Sequence, residues 1–203
     1  VAWYRRDVTA PAAWKGKRVF LVVGAADYET EFAFDGKPVG RHFGGYTPFE
    51  FELTDFVKWG EKQTIEFKIW DPDLSTAQKG HYLFGKQGYG NVRGIWQTVY
   101  LEARGKDYVD SARFTPSIAK SYVWAELLLA APAASPLVVE VALDGKTTRV
   151  PFEKGEIAKS ADIAIASPRL WDLDNPNLYD VTLTLGDDKV KTYFGFREIG
   201  TGV

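Results

Sequence analysis

Histidine occurs only at His42 and His81, and cysteine and methionine do not occur at all. A Ser–His–acid triad needs a histidine aligned with a nucleophile. None of the serines sits in a Gly-x-Ser-x-Gly turn. Two isolated histidines cannot build a tetrahedral zinc site without carboxylate help, so each reads as a packing or surface residue and no metal ligand is assigned. The absence of cysteine excludes disulfides, thiolate metal sites, iron–sulfur clusters and a thiol nucleophile together. Gly85-Lys86-Gln87-Gly88-Tyr89-Gly90 has three glycines, but no Lys-Ser/Thr and no helical pattern follows it. It therefore reads as an aromatic-bearing surface loop rather than a phosphate cradle. No catalytic residue and no cofactor is assigned.

Carboxylates and aromatic rings are the remaining candidates. Asp71-Pro72-Asp73 ends the strand-like run from Ile65 to Trp70. Such a pair can bind Ca²⁺ or accept hydrogen bonds from sugar hydroxyls. Asp71 can equally accept a local backbone N–H in a turn before the proline. Trp70, Tyr82, Phe84, Tyr89 and Trp96 fall between the end of one strand and the start of another. Rings of this kind stack on the C–H faces of sugars while nearby carboxylates and amides bind hydroxyls, and they also fill sandwich interiors.

The elements that must position these residues are strands. The chain has 203 residues, 45% hydrophobic and 26% charged, with a formal net charge of −2. That is the balance of a globular chain of one or two domains. It offers no basic excess for a nucleic acid, and its longest apolar runs are too short to span a bilayer. Val19 to Val23 reads as a strand buried on both faces. Tyr28 to Phe34 reaches Asp35-Gly36, whose residue types suit a two-residue hairpin turn. Ile65, Phe67 and Ile69 alternate with Glu66, Lys68 and Trp70, placing the first three toward a core. Gly94 to Leu101 reads as one further strand. Later, Val139, Val141 and Leu143 alternate before Asp144-Gly145, and Val181, Leu183 and Leu185 alternate before Gly186-Asp187-Asp188 and a strand from Lys189 to Arg197. Only Leu53 to Val57 and Glu156 to Ala161 suggest helix, and each is short. Residues 1–105 hold 20 of the 30 aromatics. A polar break at Arg104-Gly105-Lys106-Asp107 separates two β domains, 1–105 and 106–203. Short strands spaced by turn signals predict sandwiches, not a parallel sheet.

Longer motifs add a resemblance. Trp3-Tyr4-Arg5-Arg6, Trp14-Lys15-Gly16-Lys17-Arg18-Val19 and Gly24-Ala25-Ala26-Asp27-Tyr28-Glu29 come in order. They are followed by Asp35 to His42, Gly44-Gly45-Tyr46-Thr47-Pro48-Phe49, Leu53-Thr54-Asp55 and Gly94 to Glu102. This series resembles the N-terminal sugar-binding domain of family-2 glycoside hydrolases, the β-galactosidase and β-glucuronidase group. The second part resembles the immunoglobulin-like domain that follows in those enzymes. Its markers are Leu170-Trp171-Asp172, Asn175 to Asp180 and the closing Tyr193-Phe194-Gly195-Phe196-Arg197-Glu198-Ile199.

The resemblance implies an all-β chain, a galactose-binding-like jelly roll at 1–105 followed by an immunoglobulin-like sandwich at 106–203. In the family the paired glutamates lie in a C-terminal (β/α)₈ barrel, and no motif here matches them. The chain, which lacks an initiator methionine and a recognisable signal peptide, then reads as an excised, non-catalytic fragment of an enzyme whose substrate is a glycoside. Bacterial enzymes of this kind are often exported to the periplasm or beyond. The barrel would be its partner, and the apolar surface left by the barrel's absence invites self-association. First-domain loops of the family reach the active-site mouth, which implies Asp71, Asp73, Lys86, Gln87, Tyr89 and Asn91 as sugar-facing residues. The same loop read more plainly would dock on the barrel. An autonomous carbohydrate-binding module is the alternative function, and an adhesion-type sandwich pair a third.

Overall fold

The computed structural model describes residues 1–71 and 93–197. The chain divides into two compact units, Val1–Ala103 and Arg104–Val203. Both are antiparallel β-sandwiches, as the alternating patterns predict.

The first unit contains β1 (Ala2–Val8), β2 (Arg18–Val23), β3 (Ala26–Asp27), β4 (Glu29–Phe34) and β5 (Lys37–Phe43). It continues with β6 (Phe49–Glu52), β7 (Gln63–Trp70), β8 (Gly94–Ile95) and β9 (Val99–Arg104). One sheet runs β1-β7-β4-β5, another β6-β2-β9, and β3 pairs with β8. Ile65, Phe67 and Ile69 are buried while Glu66, Lys68 and Trp70 face outward, the period-two pattern of a half-buried strand. Phe32 of β4 stacks on Phe51 of the opposing sheet, with centroids 4.9 Å apart. Asp35 and Gly36 adopt φ of 53° and 74°, so a two-residue turn joins β4 to β5. Where the edge strands β1 and β9 part, a cleft of about 860 Å³ reaches down to Leu21, Ile65 and Phe67.

Two local expectations change. Gly94 to Leu101 is not one strand. The amides of Trp96 and Gln97 both donate to the Ala25 carbonyl, at 3.3 and 3.4 Å. Two residues opposing one make a bulge, so the chain leaves β8 and resumes as β9. Glu156 to Ala161 is not helical: from Ala158 it enters a strand of the second unit. Leu53 to Val57 does form a single turn, closed by hydrogen bonds that the Phe56 and Val57 amides donate to the Leu53 carbonyl. The buried Gln63 side chain accepts from the Lys58 amide at 2.7 Å and donates to the Phe56 carbonyl at 2.9 Å.

The second unit contains β10 (Val109–Ser117), β11 (Tyr122–Leu129), β12 (Leu137–Leu143), β13 (Lys146–Phe152), β14 (Ala158–Ala164), β15 (Tyr179–Leu185) and β16 (Asp188–Phe194). A sheet of order β10-β11-β14 faces one of order β13-β12-β15-β16, a seven-strand immunoglobulin-like sandwich. Val139, Val141, Leu143, Val181, Leu183 and Leu185 all enter its core. The Tyr179 hydroxyl, at the start of β15, accepts from the Arg169 amide at 2.6 Å. This is the tyrosine-corner device of such sandwiches, tying an approaching loop to the strand it precedes. Among the described residues no helix is long and apolar enough to cross a membrane.

Candidate functional site

The sequence places its candidate residues at and just after the end of β7. Of these, Asp71 is described. Its side chain is 7% exposed and is ion-paired at 2.9 Å to Nε of Arg93. The pair holds together the two residues that flank positions 72–92. Asp73, Lys86, Gln87, Tyr89 and Asn91 lie outside the described residues, as do His81, Tyr82 and Phe84.

The described residues around this end come from three segments. The β3–β8 ribbon pairs Ala26 with Ile95 and Asp27 with Gly94, fixing Asp27 and Trp96 close to one another. The turn after β5 brings in the third segment: the Gly44 amide donates to the Tyr28 carbonyl at 3.1 Å. Gly45 then lies against the buried Asp27 carboxylate, so closely that an added Cβ would sit 3.0 Å from its Cγ and Oδ1. Trp96 Nε1 donates to the Gly45 carbonyl at 2.7 Å, and the Tyr46 ring meets the Trp96 indole edge-on at 5.9 Å. Both rings stay substantially open to solvent. His42 stacks on Phe49 at 3.8 Å. Burial pushes its imidazole below the usual histidine range, while backbone hydrogen bonding at Gly44 pulls the other way. His42 is thus a packing residue of the β5–β6 corner.

Chemically, this end offers ring faces. Glycoside hydrolysis needs two carboxyl groups flanking the scissile bond. Here Asp27 is covered by Gly45 and Asp71 is held by Arg93, so neither is presented to solvent as an acid or nucleophile. The sequence singled out Trp70, Asp71 and Trp96 but not Asp27 or Tyr46. The only local signal for these two was their place in the motifs Gly24 to Glu29 and Gly44 to Phe49. Their proximity depends on the β3–β8 pairing, which no local pattern reveals.

Comparison with known proteins agrees with this architecture. Residues 108–197 match the family described as glycosyl hydrolases family 2. A β-galactosidase of Thermoanaerobacter pseudethanolicus is 26% identical over 91% of this chain and 26% of its own length. The crystal structure of Bacteroides uniformis β-glucuronidase superposes with a TM-score of 0.73 at 26% identity, over 97% of this chain and 26% of that one. A family-2 glycosyl hydrolase from Bacteroides cellulosilyticus shares the fold, with a TM-score of 0.78 at 21% identity over 98% of this chain and 29% of that one. The chain spans about a quarter of the length of the curated relatives it matches. Residues 108–197 match the family-2 model, and nearly the whole chain is similar in sequence and fold to a β-galactosidase and a β-glucuronidase.

Proposed function

We propose that residues 1–105 and 106–203 are the sugar-binding-type and immunoglobulin-like domains of a family-2 glycoside hydrolase acting on β-galactosides or β-glucuronides. On this reading the two sandwiches are non-catalytic. They support a catalytic barrel and lend the segment from Asp71 to Trp96, with Asp73, Lys86, Gln87, Tyr89 and Asn91, to the rim of its sugar site. The supporting observation is the likeness to a β-galactosidase and a β-glucuronidase over nearly all of this chain but only about a quarter of theirs. Asp27, covered by Gly45, and Asp71, paired with Arg93, are in keeping with a scaffold.

The test is turnover. Aryl β-galactoside and β-glucuronide substrates incubated with the chain at high concentration should release no more aglycone than a buffer blank. Activity that survives repurification would refute the reading. Exposed Tyr46 and Trp96 favour one alternative, an autonomous carbohydrate-binding module. Calorimetric binding of galactose or glucuronate that is abolished by Tyr89→Ala or Gln87→Ala would select it.

A further inference from the structure

The outer face of the β1-β7-β4-β5 sheet carries Trp3, Trp70 and Phe43 at one end, and they are 72%, 46% and 60% exposed. Strand register brings them into a row. Glu29 lies opposite Trp70 of β7 on one side and opposite Phe43 of β5 on the other. Trp3 lies opposite Lys68, diagonal to Trp70. Opposite residues share a face with Cβ atoms about 5 Å apart, and diagonal ones stay within reach of aromatic rings. In the next row the charges are matched: Glu31 binds Arg41 at 2.8 Å and Lys68 at 3.1 Å. Lys68 Nζ also stands 6.0 Å from the Trp3 ring centroid. The Glu29 side chain makes no hydrogen bond or ion pair among the described residues. A hollow of about 240 Å³ opens between Val1, Glu29, Glu31, Lys68 and Trp70.

We infer that this row is a binding platform for a neutral oligosaccharide, whose rings stack on Trp70 and Phe43 while a hydroxyl donates to Glu29. Isolated exposed aromatics are ordinary, but a contiguous group rimmed by polar side chains marks an interaction site. The order ring, carboxylate, ring selects the occupant. A protein surface covering this row would have to bring a matching donor to Glu29, because a carboxylate buried unpaired is costly. A pyranoside presents an apolar C–H face and hydroxyl donors together, so it covers the rings and satisfies the carboxylate at once. A uronate would set a second negative charge against Glu29, and Lys68 and Arg41 in the next row are engaged by Glu31. Two strand spacings of about 4.8 Å separate Trp70 on β7 from Phe43 on β5, so their rings stand roughly 10 Å apart and suit a short oligosaccharide better than a single sugar. The inference requires neither the 72–92 segment nor a barrel.

The test is calorimetric titration of the full chain with cellotetraose, β-1,4-galactotetraose and tetragalacturonate. A saturable heat is expected with at least one neutral tetrasaccharide and none with tetragalacturonate. Trp70→Ala and Phe43→Ala should each weaken binding about tenfold, the scale of a lost ring contact. Glu29→Gln should keep neutral binding within about threefold, because the amide oxygen still accepts, and should admit tetragalacturonate. Circular-dichroism melts matching the parent would show that each variant folds. Flat titrations with both neutral sugars overturn the inference. So does binding that survives the Trp70→Ala, Phe43→Ala double variant, or that vanishes on Tyr89→Ala with Trp70 intact. A dimer in sedimentation that Trp3→Ala dissolves would assign the row to a second copy and overturn it too. The aryl-glycoside assay reads none of these residues, so this inference and the proposed function fail separately.

Discussion

In the second unit the large rings face one another inside the sandwich. Phe194 stacks on Phe114 at 5.5 Å and on Tyr179 at 5.4 Å, and Phe196 closes the cluster against both Tyr179 and Phe194. Its exposed rings, Trp124 on β11 and Tyr193 on β16, sit on different sheets. In the first unit the core is filled by Phe32, Phe34 and Phe67, and further rings, among them Trp3, Phe43, Tyr46, Trp70 and Trp96, stand at the surface. Three of them share one end of one sheet face. The same residue type thus braces one sandwich and is presented by the other, and the two roles separate experimentally.

The largest expected contrast is between aromatic truncations. Phe196 is fully buried, so Phe196→Ala should cost about 3–5 kcal/mol in urea unfolding, the range for emptying a packed aromatic site. Trp70→Ala, on the exposed row, should stay within about 0.5 kcal/mol. Equal costs would break the comparison.

A second contrast uses glycines of matched conformation. Gly94 and Gly145 have φ of 76° and 74°. An alanine there carries a left-handed penalty of roughly 1–2 kcal/mol. A Cβ at Gly145 meets open space, whereas one at Gly94 runs into the Tyr4 hydroxyl. Gly94→Ala should therefore destabilise more than Gly145→Ala, and Tyr4→Phe should recover part of the difference. Equal midpoints for the two single variants would show that β8 yields more readily than the packing implies.

Tyr179→Phe keeps the ring cluster and removes the acceptor of the Arg169 amide. About 1 kcal/mol is expected from one such hydrogen bond. A loss near zero would mean that the corner is held by ring packing alone.

The smallest effect is a pH dependence of the first unit. Arg18 donates to both carboxylate oxygens of Glu52, at 2.9 and 2.7 Å, and with Thr54 holds its pKa down to about 2 from 4.5. A carboxyl depressed in the folded state adds stability above its unfolded pKa and loses it on protonation. That contribution should be complete above about pH 4.5 and decline toward pH 2. Exposure of the pair keeps the effect modest. His42, lowered by burial, acts in the same direction over a window just below pH 6.5, because the unfolded chain takes up the proton first. Thermal melts followed by tryptophan fluorescence should show an acid limb that Glu52→Gln flattens. An unchanged limb would place the acid sensitivity elsewhere.

Residues along a strand alternate faces with period two, so the buried sets Ile65, Phe67, Ile69 and Val181, Leu183, Leu185 can be read directly from the chain. Asp35-Gly36 and Asp144-Gly145 announce their turns because few residue pairs tolerate positive φ twice running. These local rules sufficed for all-β architecture. They misjudged Gly94 to Leu101, because a bulge depends on the opposing Ala25 carbonyl rather than on the residues that bulge. They also suggested a short helix from Glu156 to Ala161, where Ala158 onward becomes a strand by pairing with β11. At the candidate site, Trp70, Asp71 and Trp96 were legible as rings and carboxylates after strands. The Arg93 partner of Asp71, the cover of Gly45 over Asp27, and the row of Trp3, Trp70, Glu29 and Phe43 were not. The row draws on four strands, from residue 3 to residue 70, and pairing between distant strands, not sequence spacing, sets which side chains become neighbours.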